Sequence, residues 1–266
     1  MSAFGLTVFV GVLLTAAPSM AVANFHGGHT YPKLNYDSLM RTAMPIVRSE
    51  SGQKLLAACL NAYGGQEQLA KRRAGKFVYH MVPMMTRDSI TVIKTYAPGR
   101  QYRIRRYDTR GAEQRLLAGD TAYLIRRDSV QTLQPLRYKA ELFSYLMLNM
   151  PAALQEERFD DIRYGRRAGD SLEYLYVLKN DSLLIALGID PEKHTISKAE
   201  GVIIQDTSRI VFINLLGGYR QINGQLVPTS LINISMGLEV GRSRLVDVDF
   251  TPKFDVKEFR PSRVSY

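Results

Sequence analysis

The 266-residue chain has no tryptophan and a single cysteine, Cys59. One cysteine permits no internal disulfide, so a domain of this length must be held by apolar packing rather than covalent staples. Long apolar runs are scarce too. The most sustained one, residues 4–17, is closed by Pro18 and Ser19 and falls short of the ~20 residues that span a bilayer. No Gly-x-Ser-x-Gly elbow, phosphate-binding glycine loop or His-Glu-x-x-His helix occurs, so the commonest signatures of hydrolases, nucleotide enzymes and zinc proteases are missing. Among the histidines, His26 and His29 could touch a metal, but no third and fourth ligand lies near them in sequence. The adjacent Asp160 and Asp161 would point to opposite faces of a strand and could not share a proton. The expectation is a non-enzyme with no catalytic residues, no metal and no cofactor.

The apolar run ends in Ala21-Val22-Ala23, the small-x-small pattern that a signal peptidase accepts, so residues 1–23 read as a cleavable signal peptide that exports the protein to the periplasm. The absence of Lys or Arg ahead of the run leaves an uncleaved anchor or a misassigned start open. Residues 24–48 read as an extended lead-in and 49–266 as one domain, a size that all-β folds reach as a single unit. That domain opens with a helix, capped by Ser49 or Ser51 and stopped at Gly64-Gly65. Its stripe is Leu55, Leu56, Cys59, Leu60 and Tyr63. Leu56-Ala57-Ala58-Cys59 mimics a lipoprotein acylation box, but the polar residues 50–54 before it lack the apolar stretch such a signal needs. Cys59 is better placed as a buried small hydrophobe.

From residue 77 to 250, short strand patterns alternate with turn signals every ten or so positions, as in hairpins in series. Asn223-Gly224 is the clearest turn, since both central residues of a type I′ turn need positive φ. Between 100 and 128 the strands read as one apolar face and one face rich in arginine, a sheet wet on one side. Later segments, at 172–178, 183–189, 202–204 and 210–216, are apolar on both faces, so each needs cover on two sides. Residues 140–150 have almost no polar stripe and are ended by Pro151. They read as a buried helix, the inserted element near 138–150 that would cover a curved sheet from inside. Met81, Met84 and Met85 beside Pro83 add a pliable apolar stretch. An ordinary filled core and a ligand cavity both fit these features.

Net charge is +10, concentrated between Lys94 and Lys139. Such a field attracts anionic lipid or nucleic acid, or simply keeps the protein soluble. Export favours the lipid and argues against nucleic acid.

Three segments together resemble a family: Ala62-Tyr63-Gly64-Gly65 with Leu69; Gly218-Tyr219-Arg220-Gln221-Ile222-Asn223-Gly224 with Leu226-Val227-Pro228; and Val246-Asp247-Val248-Asp249-Phe250 with Phe259. They are similar to the periplasmic LolA/LolB-like lipoprotein carriers. The resemblance implies a mainly β, α+β fold: a strongly curved, unclosed antiparallel half-barrel with helices on its concave side. It also implies non-covalent binding of lipoprotein acyl chains or another lipid in an apolar cavity. On that expectation Leu142, Phe143, Leu146, Met147, Met150, Met81, Met84 and Met85 line or gate the cavity. Arg103, Arg105, Arg106, Arg126 and Arg127 meet head groups of an anionic membrane surface, with which the protein would associate peripherally, and envelope proteins are further expected partners. Two alternatives are a non-catalytic envelope interaction protein with a filled core and a transmembrane β-barrel, the latter disfavoured by Pro261 in what would be its last strand.

Overall fold

The computed structural model describes residues 34–84, 88–108, 111–126, 129–156, 159–179, 182–205 and 208–261. The expected signal segment, His26 and His29 lie outside them. Helix formation begins earlier than the sequence pattern shows. Where an extended lead-in was expected, Tyr36–Thr42 form helix α1, with the Asn35 side chain accepting the Ser38 N–H as N-cap. Seven residues are too few to be stable alone, and α1 holds because Tyr36, Leu39 and Met40 pack on the sheet. Strand β1 (Met44–Pro45) follows. Ser49 then caps α2 (Glu50–Ala62), its hydroxyl oxygen accepting the Gly52 N–H at 3.0 Å. Gly64, at φ 109, separates α2 from α3 (Gly65–Lys71), a conformation that favours a residue without Cβ.

Strands β2 (Gly75–Pro83), β3 (Ile90–Ala97), β4 (Gln101–Asp108), β5 (Gly111–Ala118), β6 (Thr121–Ile125) and β7 (Val130–Thr132) form consecutive hairpins. Helices α4 (Pro135–Leu148) and α5 (Ala153–Glu156) interrupt the sheet. It resumes with β8 (Asp161–Arg166), β9 (Glu173–Lys179), β10 (Leu183–Ile189), β11 (Ile196–Gln205) and β12 (Ser208–Gly217). A small hairpin, β13 (Arg220–Ile222) and β14 (Gln225–Val227), turns at Asn223 and Gly224 with φ of 52 and 74. Strands β15 (Ser230–Ser235) and β16 (Leu238–Asp249) complete the sheet, β16 pairing with β2 and so joining its two halves.

The result is one antiparallel sheet of 14 strands in the order β1-β8-β9-β10-β11-β12-β15-β16-β2-β3-β4-β5-β6-β7. It is open: β1 and β7, of two and three residues, are its edges. Among the described residues the sheet does not close, as a sheet crossing lipid must. Among the described residues no helix is long and apolar enough to cross a membrane.

The curvature follows from what α4 touches. It packs against β10 and β11 and also against β5 and β6. Strands β11 and β5 are seven steps apart in the sheet order, about 34 Å on a flat sheet at ~4.8 Å per strand. A helix is only about 10–12 Å across, so the sheet must wrap around α4. Helices α2 and α3 share this concave core through Leu55, Cys59, Leu60, Tyr63 and Leu69. Contact is closest where the Phe143 ring lies on Gly201 of β11; a Cβ there would sit 2.7 Å from the ring.

The convex face is covered at two places. Under α1, Tyr174, Tyr176, Leu184, Ala186 and Val202 form a second apolar cluster, the second cover that the doubly apolar strands β9 to β11 require. Strand β12 is less covered, with Ile210, Val211 and Phe212 only half-buried. Within the α1 cluster, Glu200 is fully buried, 2.8 Å from Arg167 and 2.7 Å from Lys198, and accepts from the Tyr36 hydroxyl at 3.1 Å. The Arg167 guanidinium lies 3.7 Å from the Tyr174 ring centroid. At the other end, Phe254 and Phe259 pack near Leu116 and Ile125, outside β5 and β6.

Two outcomes test these contacts. Gly201→Ala forces a Cβ into a ring held by the core and lowers unfolding free energy by about 1–3 kcal/mol in urea titration. Glu200→Gln leaves Arg167 buried without its counter-charge and costs about 3 kcal/mol or more. Burial alone would raise the Glu200 carboxyl, but the hydrogen bond and charge of Arg167, with Lys198, outweigh it and hold it below its ordinary 4.5. Its stabilising contribution is therefore full above pH 4.5 and lost as pH falls through the folded value. The variant's deficit shrinks correspondingly in acid.

Candidate functional site: a cavity between helix α4 and the concave sheet

Between α4 and the concave sheet lies an open-mouthed cavity of about 130 Å³. The period of two along each strand decides which side chains reach it. Strand β2 contributes Phe77, Tyr79 and Met81; β3, Val92 and Lys94; β4, Tyr102, Ile104 and Arg106; β5, Arg115. Register carries the same face onward: Lys94 stands opposite Ile104, and Ile104 opposite Arg115. The facing wall comes from β12, β15 and β16, including Phe212, Leu216 and Leu231 with Asn214, Asn233 and Ser243. Helix α4 supplies Ala140, Phe143, Ser144, Met147 and Leu148.

Helix α4 is fixed by polar contacts at two levels. At its middle the buried Glu141 accepts from Arg115 at 2.5 Å. At its end the Leu148 carbonyl accepts from Arg72 at 2.8 Å, a cation at the negative end of the helix dipole. The Arg72 guanidinium also lies over the Phe77 and Phe250 rings, 5.6 and 5.1 Å from their centroids. Tyr63, at the end of α2, donates to the Tyr219 hydroxyl at 2.9 Å and accepts the Ile196 N–H at 3.1 Å, while Tyr219 donates to the Ile196 carbonyl. This closed set joins α2 to the β13–β14 region and to β11.

One wall of the cavity is cationic. Burial and the charges of Arg106 and Arg115 push the Lys94 ammonium down to about 8, against the opposing pull of Glu141. Burial and Arg115 likewise lower Arg106 to about 10. For Arg115, burial opposes the charge, but Glu141 and Glu113 outweigh it and the guanidinium stays above its usual value. The Tyr102 hydroxyl is fully buried, and burial raises its pKa.

The structure brings Met81, Phe143, Met147 and Met150 together around the cavity. Leu142 and Leu146 are buried but belong to the core on the other side of α4. Met84 is 47% exposed and sits beyond the cavity, its N–H bonded to the Val240 carbonyl. With Val82, Met236 and Leu238, also exposed, it forms an apolar lip at this end of β2, β15 and β16. Met85 and Arg127 lie outside the described residues. The arginines divide. Arg106 turns inward to the cavity. Arg105 pairs with Glu258 at 2.8 Å, and Arg103 donates to the Glu258 carbonyl. Arg126 is exposed and 3.7 Å from Glu113. The 100–128 strands therefore do not have one apolar and one arginine face: arginines occupy both. Adjacent residues on a strand cannot share a face, and the pair Arg105-Arg106 carries that signal. Lys94, Tyr102 and Arg115 were missed for the same reason. Cys59 is buried in the core, its thiol pushed up to about 12 by burial, which makes it unreactive.

No protein-family model and no curated protein matches the sequence. Solved structures do. A protein domain from Vibrio parahaemolyticus described as outer-membrane lipoprotein-sorting is similar at 11% identity and a TM-score of 0.47, covering 73% of this chain and 93% of that one. A LolA superfamily protein from Nitrosomonas europaea is similar at 12% identity and the same TM-score, over 73% and 96% of the two chains. The open, curved antiparallel sheet stands on its own strand order and register.

Because the folded pKa of Lys94 lies below its ordinary 10.5, the charged ammonium is a burden below about pH 8 that fades as pH rises towards 10.5. Lys94→Met is expected to gain about 1–3 kcal/mol at pH 7 and to gain progressively less from pH 8 upward, read from chemical denaturation across pH.

Proposed function

We propose that this chain is an exported, non-catalytic carrier or binding protein for acyl chains, of lipoproteins or of another lipid, which it holds non-covalently in the cavity under α4. The observation that carries this reading is the cavity itself. Helix α4 fills only part of the concave side and leaves a hollow whose walls include Phe77, Val92, Ile104, Phe143, Met147 and Phe212. Each methylene buried there contributes roughly 0.8 kcal/mol, so even part of an acyl chain is held. The exposed lip of Val82, Met84, Met236 and Leu238 suits an entry facing lipid. Arg126, which is exposed, meets the anionic membrane in this reading, whereas Arg103 and Arg105 are engaged with Glu258. Export to the periplasm by residues 1–23 and transient pairing with other envelope proteins complete the reading. The thioether side chains Met81, Met147 and Met150 adapt to varied tails.

Nile red binding and native mass spectrometry of the purified protein test this. The wild type is expected to co-purify with lipid, or to bind Nile red with a blue-shifted emission. Met147→Asp, which puts a charge into the hollow, is expected to weaken dye binding at least tenfold. Absence of both lipid and dye binding overturns the carrier and leaves an interaction protein with a filled core.

A further inference from the structure

The cationic wall is unusual for a hollow meant only for hydrocarbon. Lys94, Arg106 and Arg115 all face it. Two carboxylates are near: Glu141 is bonded to Arg115, and Glu113 lies across from Arg106 in register and 3.7 Å from Arg126. Lys94 has no ion pair among the described residues, and its ammonium lies 5.4 Å from the Tyr79 ring centroid. Independently, the Tyr102 hydroxyl lines the same cavity, is fully buried, and has no hydrogen-bond partner among the described residues. An orphaned buried hydroxyl and a half-buried ammonium without a carboxylate partner are both costly. They lie on one face of neighbouring strands, Tyr102 two residues from Ile104, which stands opposite Lys94. A single anion seated between them would accept the hydroxyl proton and balance the ammonium.

We propose that the wall formed by Lys94, Tyr102, Arg106 and Arg115 is an anion subsite that takes the ionised head group of a single-chain amphiphile, with the tail lying along Phe77, Val92, Ile104, Phe143 and Met147. This rests on the carrier reading and specifies its client. The shared head-group chemistry is a carboxylate or a phosphomonoester. An uncharged head group can accept a hydrogen bond from Tyr102 but leaves the charge of Lys94 unbalanced. One oxygen of Glu141 is turned to Arg115, and the other has no hydrogen-bond partner among the described residues. The charged groups around Lys94 are Arg106 and Arg115, which repel it, and Glu141. Binding an anion adds an attraction to that set and favours the protonated ammonium.

The test is competition for Nile red by laurate, dodecyl phosphate and 1-dodecanol, which share a tail and differ in head group. The uncharged dye reports occupancy of the hollow without engaging the cations. Expected is displacement by laurate, dodecyl phosphate or both at concentrations at least about tenfold below those needed for dodecanol, as charge-assisted hydrogen bonds imply. Preference for one anion over the other assigns the head group. Lys94→Gln and Tyr102→Phe should each shrink that advantage several-fold, read as the ratio of laurate to dodecanol displacement within the same variant. Laurate should also lose affinity between pH 7 and pH 9 in the wild type, as Lys94 deprotonates, and far less in Lys94→Gln, where Arg106, at about 10, is still mostly charged. Equal displacement by all three compounds, with the dye well bound, overturns the subsite and leaves the carrier intact. Failure of the wild type to bind the dye or any of the three overturns both.

Discussion

The curl of the sheet around α4 is the constraint on which the molecule depends. Without a helix inside, fourteen strands would have an apolar concave face with nothing to cover it. With the helix too deeply seated, no hollow would remain. Gly201 sets the depth on one side, letting the Phe143 ring rest directly on β11. Arg115 and Arg72 hold α4 by Glu141 at its middle and by the Leu148 carbonyl at its end. The helix is thus tight against β10 and β11, while the hollow opens beside it.

Charge is used differently on the two faces of the same sheet. On the convex side under α1, Glu200 and Arg167 neutralise one another, with tyrosine hydroxyls and rings taking up the remaining polar capacity. On the concave side cations outnumber the acids that face them among the described residues, and burial first, then mutual repulsion, lowers Lys94 and Arg106. A balanced buried network is a means of fixing two pieces of chain together. An unbalanced one at a hollow costs stability that an incoming ion can return.

Much of the fold was legible in residue pattern. The cap at Ser49, the stop at Gly64, the turn at Asn223-Gly224 and the cover required by β9 to β11 all follow from local chemistry. Helix α1 was not legible, because its seven residues owe their helicity to Tyr36 and Leu39 resting on the sheet, and no local signal reports that. The site was legible in part. An almost wholly apolar helix announced the cavity through Phe143 and Met147, yet periodicity could not say that Leu142 and Leu146 turn into the core instead. Arginines counted as a group suggested one charged surface. Their parity along β4, with Arg103 and Arg105 on one face and Arg106 on the other, was present in the sequence and separates a structural contact from a cavity wall.

The sheet's two edges are among its shortest strands, and one of them, β1, contains Pro45, which has no N–H to offer a neighbour. A protein that keeps an apolar hollow accessible runs a standing risk of sticking to its own copies. Here the free hydrogen-bonding margin is cut to a few positions, so a second molecule has almost no ladder on which to continue the sheet.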